Sequence, residues 1–158
     1  MRRSRSIRVA GLAVRTVNAS EMSESTAKIP GLWSRYMQSG WSDRLGSAGA
    51  AGPTMAVYSD YASDLNGPYR LLVGRELLVG APDPQGVESV EIPAGPYLLF
   101  SFRGAMPRVV MDGWRRVWTH FEERRKLQRA YTADFEAYPE DGTGVDIWIA
   151  VREEGSIA

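Results

Sequence analysis

Cysteine is absent from this 158-residue chain, and histidine occurs once, at His120. The first absence excludes disulfides, iron–sulfur clusters, thiolate zinc sites and cysteine nucleophiles. The second leaves no material for a polyhistidine metal site. Net charge is also missing, since nineteen basic residues balance nineteen acidic ones. General nucleic-acid binders carry a basic excess, so direct contact with nucleic acid is not expected. No apolar run approaches the ~20 residues that span a bilayer, and no membrane contact is expected. The opening MRRSRSIRVAGLAV is basic, but Arg8 and Arg15 interrupt its apolar part. It reads as a strand behind a flexible basic tail (1–6) rather than as a signal peptide. The expected compartment is therefore the cytoplasm. Neither GxGxxG nor GxxxxGK[ST] occurs, so the glycines at 74–80 and 95 match no phosphate-binding pattern. No cofactor and no metal are expected.

What remains is an ordinary globular composition, 44% hydrophobic and 24% charged. The length allows one domain of about 150 residues, large enough to fold on its own apolar core. The first half (1–79) carries a net charge of +4 and the second (80–158) of −4.

Periodicity orders the chain. Ile7 to Asn18 alternates as a strand. Asn18 or Ser20 is placed to cap a helix that Pro30-Gly31 should kink, and which resumes through Leu32, Trp33, Tyr36 and Met37. The small-residue stretch 46–53 reads as a loop. Thr54–Tyr61 and Tyr69–Val79 read as strands around an Asn66-Gly67 turn. The second half gives strands at Val87–Ile92 and Tyr97–Phe102. A helix follows from about Pro107 to Arg125, striped by Val110, Trp114, Val117, Trp118 and Phe121, with Arg124, Arg125 and Lys126 closing it. Strands at Tyr131–Tyr138 and Val145–Val151 end the pattern. The expectation is an α+β fold of two strand–helix–strand–strand units (about 7–80 and 87–152). They share an antiparallel sheet, with two main helices and a central groove, and residues 153–158 form a C-terminal tail.

The segment Tyr131–Tyr138 holds the chemistry. Its period of two puts Thr132, Asp134, Glu136 and Tyr138 on one face. In the last strand Val145, Ile147, Ile149 and Val151 form an aliphatic face, and Asp146, Trp148 and Ala150 the other. Pairing the two strands would set carboxylates beside aromatic rings. A carboxylate among rings attracts a lipophilic cation by Coulomb force and through the ring quadrupoles. A plain solvated face with an arginine ion pair is the competing reading, with seventeen arginines to choose from. His120 lies off the helix stripe and reads as a lone surface histidine.

Several segments, taken in order, resemble the GyrI-like effector-binding domains, also found as ligand-sensing domains of AraC-type and MerR-type regulators. They are KIPGLWSRY (28–36), VYSDYASDLNGPYRLLVGREL (57–77), VEIPAGPYLLFSFRG (90–104), MDGWRRVWTHF (111–121), RAYTADFEAYPED (129–141) and VDIWIAV (145–151). The chain looks most like the stand-alone, integron-associated type. The resemblance implies two repeats about a pseudo-twofold axis and a central pocket for small, cationic, aromatic molecules. It maps the pocket acid to Glu136. It maps the pocket walls to Tyr69, Trp114, Trp118 and Trp148, with Trp33 and Phe100 beside them. Ala62 and Asp146 depart from the acids many relatives carry there. No helix-turn-helix precedes Ile7, so a binding module without its own DNA-binding part is expected, with no protein partner specified. The alternative implied by the resemblance is a hydrolase that opens strained cyclopropane rings. Glu136 would be its acid/base, and Tyr69 its hydrogen-bond donor or acid.

Overall fold

The computed structural model describes residues 2–3, 5–124, 127–140 and 142–152. In chain order the elements are β1 (Arg2–Arg3), β2 (Ile7–Thr16), α1 (Asn18–Glu21), α2 (Ile29–Gln38), α3 (Trp41–Ser47), β3 (Ala50–Ser59) and β4 (Tyr69–Leu77). They continue with β5 (Glu88–Ile92), β6 (Gly95–Arg103), α4 (Arg108–Glu123), β7 (Ala133–Tyr138) and β8 (Gly144–Ala150).

Two units carry the fold, β2-α2-β3-β4 and β6-α4-β7-β8. The strand order is β1-β6-β8-β7-β3-β4-β2-β5, and every pairing is antiparallel. Within each unit the strands lie in the same sequence, and the units join where β3 pairs β7. This is the duplicated α+β arrangement expected from the pattern. The short strand before each unit crosses to the other one: β5 lies on β2, and β1 on β6. The outer strands are thereby covered in part, at Gly95–Pro96 of β6 and Ile7–Gly11 of β2.

Alternation divides the sheet's two faces. On one face Ala10, Ala56, Leu71 and Val73 pack with Leu32 and Tyr36 of α2 and Leu45 of α3. Val145, Ile147 and Ile149 of the second unit pack with Val117 of α4. The other face carries its own core of Ile7, Val9, Met55, Val57, Leu72, Ile92, Tyr97 and Phe135. No helix among the described residues is long and apolar enough to cross a membrane.

Three expectations need correction. Pro30 does not kink a continuous helix; it sits in the first turn of α2, where its missing N–H costs nothing. The carboxylate of Glu21 accepts from the free backbone N–H groups of Lys28 and Ile29, at 2.9 and 3.1 Å, and so caps that helix. Arg2 and Arg3, expected in a tail, pair with Pro96 and Gly95, because β6 offers an open edge there. The stretch 46–53 is not a loop throughout, as α3 runs to Ser47 and β3 begins at Ala50. Arg125, Lys126 and 153–158 lie outside the described residues.

Gly11 and Gly74 stand directly opposite each other on β2 and β4. A Cβ on Gly74 would lie 1.8 Å from the carbonyl oxygen of Ala10, and one on Gly11 1.9 Å from that of Val73. Only glycine permits this approach. Gly74→Ala must push two strands apart, and is expected to cost about 3 kcal/mol. Thermal denaturation should show it as a fall in Tm on the order of 10 °C.

A candidate ligand site at the seam of the two units

The site begins with strand parity at the seam. Ala56 and Tyr58 of β3, and Asp134, Glu136 and Tyr138 of β7, turn to the helix side. Ala56 pairs with Glu136 and Tyr58 with Asp134. Helix α2 packs chiefly on β2 and β4, and α4 on β6 and β8. Neither helix packs chiefly on the central pair, and the strip of sheet between the two helices is the trough.

Glu136 lies at its floor, 1% exposed. Three neutral groups donate to its carboxylate. Tyr58 Oη reaches Oε2 at 2.9 Å, Trp114 Nε1 reaches the same oxygen at 2.5 Å, and Tyr138 Oη donates to Oε1. Among the described residues no guanidinium or ammonium pairs with it. Burial pushes the carboxyl pKa above the usual 4.5, and the three hydrogen bonds pull against that rise. Tyr58 and Tyr138 are pushed up by burial first and by the neighbouring carboxylate second. They stay protonated and keep donating.

Asp134, two residues back on the same face, is treated differently. Arg129 Nη2 lies 2.7 Å from its Oδ2, with both side chains buried. Tyr61 Oη donates to Oδ2 at 2.5 Å and the Ala150 N–H to Oδ1 at 2.8 Å. The same guanidinium lies 4.5 Å from the Tyr131 ring centroid. One carboxylate is neutralised as an ion pair; the other is solvated only by dipoles. The seam therefore holds one carboxyl group with no protein cation beside it among the described residues.

Rings surround it. Tyr58 lies 5.3 Å from Trp114 and 5.6 Å from Tyr69. Trp118 follows Trp114 at 6.3 Å along α4. Trp33 reaches in from α2 and meets Tyr138 edge-to-face at 5.2 Å. Of the expected rings, Trp114 thus touches Glu136 directly, while Trp118, Tyr69 and Trp33 stand one ring further out, against Trp114, Tyr58 and Tyr138. The hydroxyl of Tyr69 donates to Asn18 Oδ1 at 2.9 Å rather than to Glu136.

Two expected residues lie elsewhere. Glu136 pairs with Ile147, and Phe135 with Trp148. Trp148 thus stacks on Phe135, at 5.7 Å and 7°, on the opposite face of the sheet. The carboxylate shares the aliphatic face of β8, under α4. Phe100 faces the helix side but lies beyond β8, against His120 at 5.2 Å. Tyr58, Tyr61 and Arg129 were missed. The alternation of Met55 and Val57 against Ala56 and Tyr58 was the available signal for Tyr58. Tyr138 was placed on the right face by parity, but its hydrogen bond was not foreseen.

The duplicated α+β fold is the GyrI-like fold of its structural neighbours. The sequence profile of Cass2, the integron-associated effector-binding proteins, matches residues 4–151. The chain belongs to that family. It is 33% identical to YobU of Bacillus subtilis, described by its name as a candidate transcriptional regulator, over 92% of each chain. Among solved structures, an integron cassette protein of Vibrio cholerae aligns with TM-score 0.80 and 33% identity, covering 95% of this chain and 93% of that one. SAV2435, solved bound to tetraphenylphosphonium, shares the fold with TM-score 0.72 at 15% identity, covering 95% of this chain and 91% of that one.

Removing one partner of a buried ion pair leaves an uncompensated charge, at a cost of about 3–5 kcal/mol. Arg129→Ala should therefore destabilise the protein by that amount in urea denaturation. Adding Asp134→Asn should restore part of the loss.

Proposed function

We propose that this protein captures a lipophilic organic cation in the seam trough, as an effector-binding module that does not itself touch nucleic acid. The observation that carries the reading is the ionisable, unpaired Glu136 among aromatic rings, beside an Asp134 that does have its guanidinium. A buried anion held only by dipoles is poorly compensated. A cation with apolar substituents completes the pair while its substituents cover the rings. Low local dielectric strengthens that attraction, and the ring quadrupoles of Trp114, Tyr58 and Tyr138 add to it. The cationic aromatic ligand named for SAV2435, which shares the fold, supports this choice of chemistry.

The hydrolase reading finds less support. Both tyrosines nearest the carboxylate donate their protons to it, which with burial raises their pKa. A phenol held in that way is a weak acid for ring opening. Tyr69, the expected acid, is bonded to Asn18.

The experiment is titration of tetraphenylphosphonium into the protein and into Glu136→Gln by calorimetry. Affinity should fall at least tenfold in the variant, while a neutral triphenyl analogue binds both alike. Equal affinity for the cation would reject the reading.

The pH dependence has a definite sign. Glu136 has a folded pKa above its unfolded one. The native state therefore holds the extra proton between the two values, and stability falls as pH rises through that window. The ionised form is the form that attracts the cation. Tetraphenylphosphonium should raise Tm more at pH 7 than at acid pH. Its effect should decline at a pH above the usual carboxylate value of 4.5, and this decline should vanish in Glu136→Gln.

A further inference from the structure

The two ends of the sheet are finished differently. At one end the last strand is β5, which carries Glu88 and Glu91. Charged side chains on an edge strand discourage a further strand from adding. At the other end β1 pairs with β6 only at Gly95 and Pro96. Beyond them β6 runs through Leu98, Leu99, Phe100, Ser101 and Phe102 without a charge, and reaches Arg103 at its end. Hydrogen bonds at the two ends of β6 fix which way its backbone turns. The Pro96 carbonyl accepts from the Val151 N–H at 3.2 Å, and the Gly104 N–H donates to the Thr143 carbonyl at 2.9 Å. The register between β6 and β8 is unbroken from Tyr97 to Arg103, so even-numbered residues turn their backbone groups to β8. The N–H and C=O groups of Leu99, Ser101 and Arg103 therefore turn outward. No strand pairs with them among the described residues.

A basic row lies along this edge. The chain reverses after β6, and α4 runs back over it. Gly113 closes on the Phe102 ring, and His120 lies against Phe100 at 5.2 Å. Arg116, His120 and Arg124 recur every four residues and share one side of α4. They line one surface depression, with Glu123 as its single acid. Arg116 is exposed and makes no ion pair among the described residues. Arg124 reaches Glu123 at 3.7 Å with both side chains more than half exposed, and such a pair holds its charges loosely.

We propose that the outer edge of β6, residues 99–103, receives an antiparallel strand from a partner protein, and that this strand alternates acidic with apolar residues. Main-chain pairing supplies the attachment, and side chains choose the partner. On the helix side, beside Phe100 and Phe102, the added side chains stand along Arg116, His120 and Arg124, where acids fit. On the opposite side they stand beside Leu99, which is 38% exposed, and apolar groups fit. A second copy of this chain fits less well, because a twofold β6–β6 pairing would bring two α4 helices together with their arginine rows facing. Nucleic acid would use the arginines through its phosphates and leave the edge carbonyls without donors. The edge lies apart from Glu136, so its test stands whatever the trough binds.

The probe is an end-blocked octapeptide of alternating glutamate and valine. Proton NMR follows the imidazole of His120, the one histidine of the chain. The peptide should shift those signals saturably. Residues opposite Leu99, Ser101 and Arg103 share their face, so the valines turn their N–H groups to β6. Methylating the valine nitrogens should abolish binding, whereas methylating the glutamate nitrogens should be tolerated. Ser101→Pro removes an outward donor without touching β8, and should weaken the peptide by about tenfold, the scale of one lost hydrogen bond. If that variant fails to fold by circular dichroism, the methylated peptides make the same test on the unaltered protein. Arg116→Glu combined with Arg124→Glu should also cost about tenfold, as two exposed pairs are reversed. Equal binding of the valine-methylated peptide, or of a lysine–valine octapeptide, overturns the proposal. So does a His120 signal that the peptide leaves unmoved at millimolar concentration. A dimer that Ser101→Pro dissolves in sedimentation gives the edge to a second copy, and a single-stranded oligonucleotide that shifts His120 where the peptide does not gives the row to nucleic acid; either result overturns it.

Discussion

Ionising a carboxyl group buried between two packed units is costly, and the seam is arranged around that cost. Glu136 accepts from two phenols and an indole, all uncharged. Charge-assisted hydrogen bonds of this kind are stronger than neutral ones. Even so, they do not cancel the charge, and burial still wins in setting the direction of the pKa. Asp134 shows that the fold has an arginine within reach of this face. That arginine is committed to Asp134 and flanked by Tyr131, which leaves the neighbouring acid open.

The duplication explains why the donors come from both units. Tyr58 belongs to the first unit; Tyr138 and Trp114 belong to the second. Neither unit alone could solvate the anion. Each helix lies over its own outer strands, so the central strands are clad by side chains rather than by backbone. Gly113 brings α4 close to the sheet: a Cβ there would lie 2.8 Å from the Phe102 ring and 3.3 Å from Ile147. That close approach helps the next residue, Trp114, to reach the floor. On the opposite face a separate apolar core, including Tyr97 and Phe135 with Trp148 against them, holds the central strands from behind.

Strand parity made much of this readable from the sequence. Period two alone put Asp134, Glu136 and Tyr138 on one face, and the helical stripe placed Trp114 and Trp118 a turn apart. Parity does not fix which face of a neighbouring strand lies alongside. Shifting the register by one residue exchanges Ile147 for Trp148 opposite Glu136. The register settles that question, with Ile147 turned toward α4 and Val117. Phe100 failed for a related reason, since residues on the correct face can still be separated by an intervening strand. Pro30 was misread because a proline inside an apolar stripe looks the same whether it breaks one helix or starts another. The capping carboxylate that decides the matter, Glu21, lies seven residues before the first N–H it accepts from.

Tyrosine suits this seam because one side chain does two jobs. Its hydroxyl steadies the anion, while its ring can remain a surface for the ligand. A cation settling over those rings need not break the hydrogen bonds beneath it. It gains the quadrupole of each ring and the field of the charge below together. Phenylalanine at position 58 or 138 would keep the surface and lose the donor. Serine would keep a hydroxyl and lose the surface. Because the carboxylate and burial both raise the tyrosine pKa values, the donors stay protonated well into the alkaline range. Below that range the tyrosines carry no charge, and the electrostatics of the trough turn on the proton of Glu136.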